Sequence, residues 1–229
     1  KKLALYVLAV AAALGLGALV LLALGVNPVA YYSRMFTMGM VGNKIAYRIF
    51  ENYLKDFVPL ALTSVALSLA FKMRFWNIGG EGQFILGAIS AAFVAFKAGP
   101  VLPEAVTLLL MCLAAMLVAG LYGLFVAALK VRFGTNETLM TLMLNYIALY
   151  VIMFFGETKA DWNILLNEES ARPIFKTFFE NAWMPTIKIG SFSLNISLII
   201  AFIITALIYV YLKKTKQGYE LSVVGDSIS

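Results

Sequence analysis

Asn77-Ile78-Gly79-Gly80-Glu81-Gly82-Gln83 packs three glycines, two side-chain amides and a carboxylate between two apolar runs. A carboxylate beside hydrocarbon is costly, so such residues sit in a protein interior or a wet pathway. Phe57 to Phe71 precedes the stretch and Phe84 to Phe96 follows it, with Lys72 and Arg74 closing the first run. The reading of this stretch therefore depends on whether its flanks cross a membrane.

Composition says that they do. The chain of 229 residues is 62% hydrophobic and 13% charged, with a mean hydropathy of +0.89. A soluble domain is about half apolar and about a quarter charged. The excess is concentrated in long uncharged runs, the mark of membrane-spanning helices. A net charge of +6 could point to nucleic acid, but the basic residues flank apolar runs, so no nucleic-acid partner is expected. Histidine is absent, which removes the commonest metal ligand and general base. Cys112 lies within an apolar run and reads as a small core residue.

Outward from the motif, the first run extends from Leu3 to Val26 without a charge. It is too long for a signal peptide's apolar region and ends in Gly25-Val26-Asn27-Pro28 rather than a cleavage site. Residues 27–56 are mixed; Ile45, Ile49 and Tyr53 recur at helical spacing opposite Arg48, Glu51 and Lys55. That pattern fits a helix lying along the membrane surface, and equally a loop packed on the bundle. Further apolar runs cover Ala105 to Leu129, Thr138 to Phe155 and Ile196 to Leu212. Residues 156–193 form a long polar segment in which Glu168 and Glu169 read as solvated loop charges. The expected architecture is a single all-α transmembrane domain over 1–229 with interrupted helices. Its six spans fall at about 3–26, 57–71, 77–97, 104–129, 136–155 and 195–212.

Six spans alternate sides, and basic residues mark the cytoplasmic one. With the N-terminus inside, Lys1, Lys2, Lys72, Arg74, Lys130, Arg132, Lys213, Lys214 and Lys216 are cytoplasmic, against only Glu81, Glu137, Glu220 and Asp226. The other half of the 18 basic residues shares the outside with eight of the 12 acids. Segments 27–56 and 156–193 are then extracytoplasmic.

Transporters place substrate sites where helices are interrupted, because freed backbone groups then face a cavity. The short run containing Pro59, followed by Gly79, Gly80 and Gly82, is such an interruption. Asn77, Glu81 and Gln83 either cap and pack the third span or line a pathway or gate. The same two readings apply to Asn136 and Glu137, which open the fifth span much as Asn77 and Glu81 open the third. Asn145, a polar residue inside a span, either hydrogen-bonds a neighbouring helix or contacts substrate. The glycine spacing matches neither G-x-G-x-x-G nor a Walker A loop, and no Walker A occurs in the chain, so any ATP and Mg would be bound by another subunit.

Phe75-Trp76-Asn77-Ile78-Gly79-Gly80-Glu81-Gly82-Gln83 closely resembles the FNIGGEGQ signature of bacterial ABC-importer permeases of the sugar and nucleoside branch, related to ribose and branched-chain amino-acid permeases. Trp76 departs from it, small or polar residues being usual there. Val131 to Glu137, followed by Leu142-Met143-Leu144-Asn145-Tyr146-Ile147-Ala148, resembles the family's second signature. Gly218-Tyr219-Glu220-Leu221 with Val223-Val224-Gly225-Asp226 resembles the start of its cytoplasmic coupling segment. The resemblance implies a longer permease whose C-terminal third lies beyond Ser229, in a bacterial cytoplasmic membrane. It also implies a second permease subunit, ATP-binding cassette subunits and an extracytoplasmic solute-binding protein. Gly218, Glu220, Gly225 and Asp226 would then couple to the ATPase, and the cargo would be a nucleoside in preference to a simple sugar. Two other classes remain open. An ion-coupled secondary transporter would use Glu81 or Glu137 as its coupling acid. A membrane-embedded transferase lacks the histidine or Asp-rich cluster it would need.

Overall fold

The computed structural model describes residues 2–37, 44–167, 169–170, 172 and 174–227; Glu168 lies outside them. The helices are α1 (Lys2–Ala23), α2 (Pro28–Phe36), α3 (Ala46–Lys72), α4 (Gly80–Ala98), α5 (Glu104–Phe133), α6 (Glu137–Glu157), α7 (Ile196–Lys214) and α8 (Lys216–Ser227). A 3-10 turn at Glu180–Ala182 and a hairpin of β1 (Thr186–Ile189) and β2 (Phe192–Asn195) lie between α6 and α7. Six of the helices, all but α2 and α8, are long and apolar enough to cross a membrane. Their outward faces are apolar, with Leu5, Leu19, Leu117, Phe202 and Leu207 more than half exposed. That is affordable against lipid and not against water.

Five of the expected spans match helices closely, but the second differs. The structure makes residues 46–72 one continuous helix through Pro59, so Ile45–Tyr53 do not start a separate surface helix. Lys55 and Asp56 end the apolar pattern without ending the backbone ladder. Proline forfeits only its own N–H bond, which a membrane helix tolerates. The break comes later, over residues 73–79. Cys112 is exposed on α5 rather than placed in the core.

The chain divides into two compact units. The first comprises residues 1–57 and 188–194. Within it Asn27 caps α2, its Oδ1 accepting from the Val29 and Ala30 amides at 3.0 and 3.3 Å. Tyr32 donates its hydroxyl to the Leu14 carbonyl at 2.7 Å. Glu51, expected on a polar face, is instead buried. Its carboxylate accepts from the Ser193 amide in the hairpin, beside the ring pair of Phe50 and Phe192.

The second unit comprises residues 58–187 and 195–229. Here α4 lies along α5 and also packs on α6. Small residues allow the close approach: Gly87 of α4 faces Ala115 and Ala119 of α5. At one end of this unit the α4–α5 turn meets the 3-10 turn, with Asn181 Nδ2 donating to the Gly99 carbonyl at 3.2 Å. Nearby, Asn163 is fully buried and donates to the Phe155 and Thr158 carbonyls at 2.7 and 2.8 Å. The segment read as merely polar is thus tied down by the side-chain amides of Asn163, which is buried, and Asn181, which is not, while Glu169 is exposed. The opposite end holds the α3–α4 loop, the α5–α6 turn and α8.

Candidate functional site

The α3–α4 loop begins with a closed helix end. Arg74 takes a left-handed conformation at φ 54°, the Arg74 amide bonds the Phe71 carbonyl, and the Phe75 amide reaches back to the Ala70 carbonyl at 3.0 Å. This is a Schellman closure with arginine where glycine is usual. After it, Asn77 folds the loop onto α4. Its Oδ1 accepts from the Gly79 amide at 2.9 Å, and its Nδ2 donates to Gln83 Oε1 at 3.2 Å.

The first amides of a helix lack intrahelical partners, and Gly79 at the N-cap of α4 offers no side chain to satisfy them. α6 supplies one cap, at Gly82, and also ties the loop just ahead of the helix. Thr141 Oγ1 accepts from the Ile78 amide at 3.2 Å while donating to the Glu137 carbonyl at 2.7 Å. Asn145 grips the turn from both sides. Its Oδ1 accepts from the Gly82 amide at 2.8 Å and its Nδ2 donates to the Ile78 carbonyl at 2.8 Å. Only glycine permits this approach at position 82. A Cβ there would lie 2.9 Å from Asn145 Oδ1 and 3.2 Å from Asn145 Cα, inside van der Waals contact.

A second tie joins the same loop to the α5–α6 turn. Lys130 Nζ and Glu137 Oε1 form an ion pair at 2.5 Å, their side chains 30% and 14% exposed. The Trp76 amide approaches the same oxygen at 3.5 Å. Lys130 also sits 5.1 Å from the centre of the Phe75 ring, within cation–π range. Asn136 is the N-cap of α6, its Oδ1 accepting from the Leu139 amide at 3.1 Å. Asn77 has no such position, since it lies two residues ahead of its helix's cap, so the two Asn/Glu pairs are not structurally alike.

The remaining motif residues lie on other faces of the first turns of α4. Glu81 is exposed in the first turn of α4, with no side-chain partner within hydrogen-bonding distance among the described residues. Gln83 and Gly80 border an open groove of about 480 Å³ between α3, α4 and α5, whose other walls include Thr63, Phe84, Gly87 and Met116. It is almost wholly apolar apart from Gln83 and Thr63.

The last two helices meet at Thr215, whose Oγ1 donates to the Tyr211 carbonyl at 2.6 Å and accepts from the Gly218 amide at 3.0 Å. Gly218 and Gly225 are buried on the inner face of α8, while Tyr219, Glu220, Val223 and Asp226 are exposed. Glu220 pairs with Lys216 at 3.6 Å on the open surface.

Of the residues singled out by sequence, Asn77, Gly79, Gly80, Gln83, Glu137 and Asn145 come together around the start of α4. Asn136 caps α6 and bonds its own helix, Glu81 points outward, and the four α8 residues form a separate group. Sequence reading missed Thr141 and Lys130. A usable signal was present: Glu137, Thr141 and Asn145 recur every fourth residue, a polar stripe down one face of an otherwise apolar helix. No three His, Cys, Asp or Glu side chains converge on a metal position among the described residues.

Residues 49–229 match the family described as the branched-chain amino acid transport system / permease component. Among curated relatives, the nucleoside ABC transporter permease protein NupB of Lactococcus lactis is 31% identical over 92% of this chain and 57% of its own length. The guanosine ABC transporter permease protein NupP of Bacillus subtilis is 29% identical over 95% of the chain and 60% of its own. A glucose ABC transporter permease of Haloferax volcanii is 30% identical over 96% and 58%. The chain thus spans about three-fifths of the length of these relatives. No solved structure matches it.

Proposed function

The chain belongs to the branched-chain amino acid transport system / permease component family and is a multi-pass membrane protein, and from this premise we propose that it is the permease subunit of an ABC importer for a nucleoside or simple sugar. The observation that carries the proposal is the similarity, over nearly all of this chain, to permeases named for nucleosides, guanosine and glucose. The reading places no covalent chemistry on this chain. ATP and Mg belong to a separate cassette subunit, a second permease subunit completes the pathway, and a solute-binding protein delivers cargo from outside.

The motif end of the second unit is assigned to the cytoplasm of a bacterial cell, with the N-terminus on the same side. Lys72, Arg74, Lys130, Arg132, Lys213, Lys214 and Lys216 all belong to the connections at that end, as the positive-inside rule requires. In this role the start of α4 is an inner hinge or gate rather than a mid-membrane ligand. Thr141, Asn145 and the Lys130–Glu137 pair hold it, and Glu81 is presented to whatever passes or docks there. The exposed face of α8, with Glu220 and Asp226, is the contact for the ATPase.

Uptake in cells carrying the full set of subunits tests the cargo assignment. Labelled guanosine should enter, and unlabelled nucleosides should compete better than ribose or glucose. Competition by hexoses alone would move the assignment to sugars, and no uptake of either class would reject it.

A further inference from the structure

Gly218 and Gly225, seven residues apart on α8, each turn bare backbone toward another main chain. A Cβ at Gly218 would overlap the Tyr211 carbonyl oxygen and lie 2.7 Å from Leu212 Cα. A Cβ at Gly225 would overlap the Lys72 carbonyl oxygen and lie 3.4 Å from Lys72 C and 3.5 Å from Met73 Cα. The first contact folds α8 back on the end of α7, the helix it follows. The second joins it to a helix roughly 150 residues earlier in sequence.

The place of that second contact matters. Lys72 is the last residue of α3. The Schellman closure satisfies the Ala70 and Phe71 carbonyls and leaves the Lys72 carbonyl as one of the helix end's orphan acceptors. The Gly225 Cα hydrogen occupies the direction a Cβ would take, so it faces that oxygen in a C–H···O contact, which is weak but close-packed. From Lys72 the chain runs through Met73 and the left-handed Arg74 straight into Phe75–Gln83. Its amides and carbonyls are then bolted to α6 by Thr141 and Asn145. A continuous series of backbone contacts therefore leads from α8 to the start of α4.

We propose that α8 and the loop carrying Phe75–Gln83 move as one body, with Gly225 as the positioning residue that seats α8 on the Lys72–Met73 backbone. The inference rests on the permease reading above. On that reading, displacement of α8 by the ATPase is delivered to the Asn145 bracket through main chain, with little slack in flexible side chains. The exposed residues of α8 make the contact with the motor, and Gly225 passes the movement on.

The test uses the intact complex of permease subunits, ATPase and binding protein in proteoliposomes. ATP-dependent uptake by the unaltered complex establishes the premise, and its absence would defeat the permease reading independently of Gly225. Given that uptake, Gly225→Val should lower transport by about tenfold or more, the size of a lost coupling. Basal ATP hydrolysis and a Tyr219→Cys cross-link to the ATPase should stay within about twofold. Gly225→Ala should fall between the two. Wild-type uptake in Gly225→Val, or loss of the ATPase cross-link together with uptake, would overturn the proposal. A second measurement stands even if Gly225→Val fails to assemble. Met73→Cys and Leu221→Cys joined by a short bismaleimide should leave uptake within about twofold, because parts that move together tolerate being tied. Abolition of uptake by that link would show that they move separately.

Discussion

Asn145→Ala is the sharpest probe of the candidate site, because one side chain makes two bonds to main chain on another helix. The change removes the acceptor for the Gly82 amide and the donor to the Ile78 carbonyl, both at 2.8 Å. Hydrogen bonds between transmembrane helices average about 0.6 kcal/mol, with the strongest near 1.7. Two ordinary ones would thus be worth about 1 kcal/mol. Gly82 is buried, however, and its amide has no new partner once the side chain is gone, which adds a desolvation cost of about 1–3 kcal/mol. The expected loss is therefore about 2–4 kcal/mol. It should be read as a lowered midpoint of unfolding in mixed detergent–SDS micelles, with faster amide exchange at Gly82. Asn145→Asp separates the two bonds: it keeps an acceptor for Gly82 but turns an oxygen toward the Ile78 carbonyl, so it should be no better than alanine. A double-mutant cycle with Thr141→Ala should show coupling above about 0.5 kcal/mol, since both side chains hold one turn. Stability of Asn145→Ala within about 0.5 kcal/mol of wild type, with Gly82 exchange unchanged, would refute the bracket.

Gly82→Ala should destabilise by about 1–3 kcal/mol through overpacking against Asn145, in spite of alanine's better helix propensity; an unchanged unfolding midpoint would contradict the close approach. Glu137→Gln should lower stability by about 1–3 kcal/mol by leaving Lys130 with a neutral partner. Exchanging the two as Lys130→Glu with Glu137→Lys should recover part of that loss, and no recovery would reject the pair as a tie. Glu81→Ala should leave stability within about 0.5 kcal/mol, the side chain being exposed and without a partner among the described residues, while abolishing uptake. Normal uptake in that variant would remove Glu81 from the gate.

The membrane fold was legible because hydrocarbon imposes long apolar runs, and five span boundaries agree within a few residues. The second span was not, because Lys55 and Asp56 break the apolar pattern while the hydrogen-bond ladder of α3 continues past them. Glu51 shows the converse failure: periodicity put it on a solvent face, and a hairpin more than 130 residues later covers it. Asn145 could be recognised as an amide within a span and needing a partner, but nothing local names a partner 63 and 67 residues away. Lys130 read only as a topological charge, since its pairing with Glu137 requires the α5–α6 turn to bring the two helix ends together. Cargo leaves the faintest trace, because main-chain contacts dominate the motif and carry no substrate chemistry.

Whether ATP hydrolysed on a separate subunit drives transport is decided in proteoliposomes containing all subunits. Labelled guanosine is supplied with the binding protein outside, with respect to the native orientation, and ATP is supplied on the cassette side. Accumulation should require ATP, disappear when the cassette subunit's phosphate-binding lysine is replaced, and withstand a protonophore. Accumulation that persists without hydrolysis, or collapses with the proton gradient while ATP remains, would contradict ATP-driven transport.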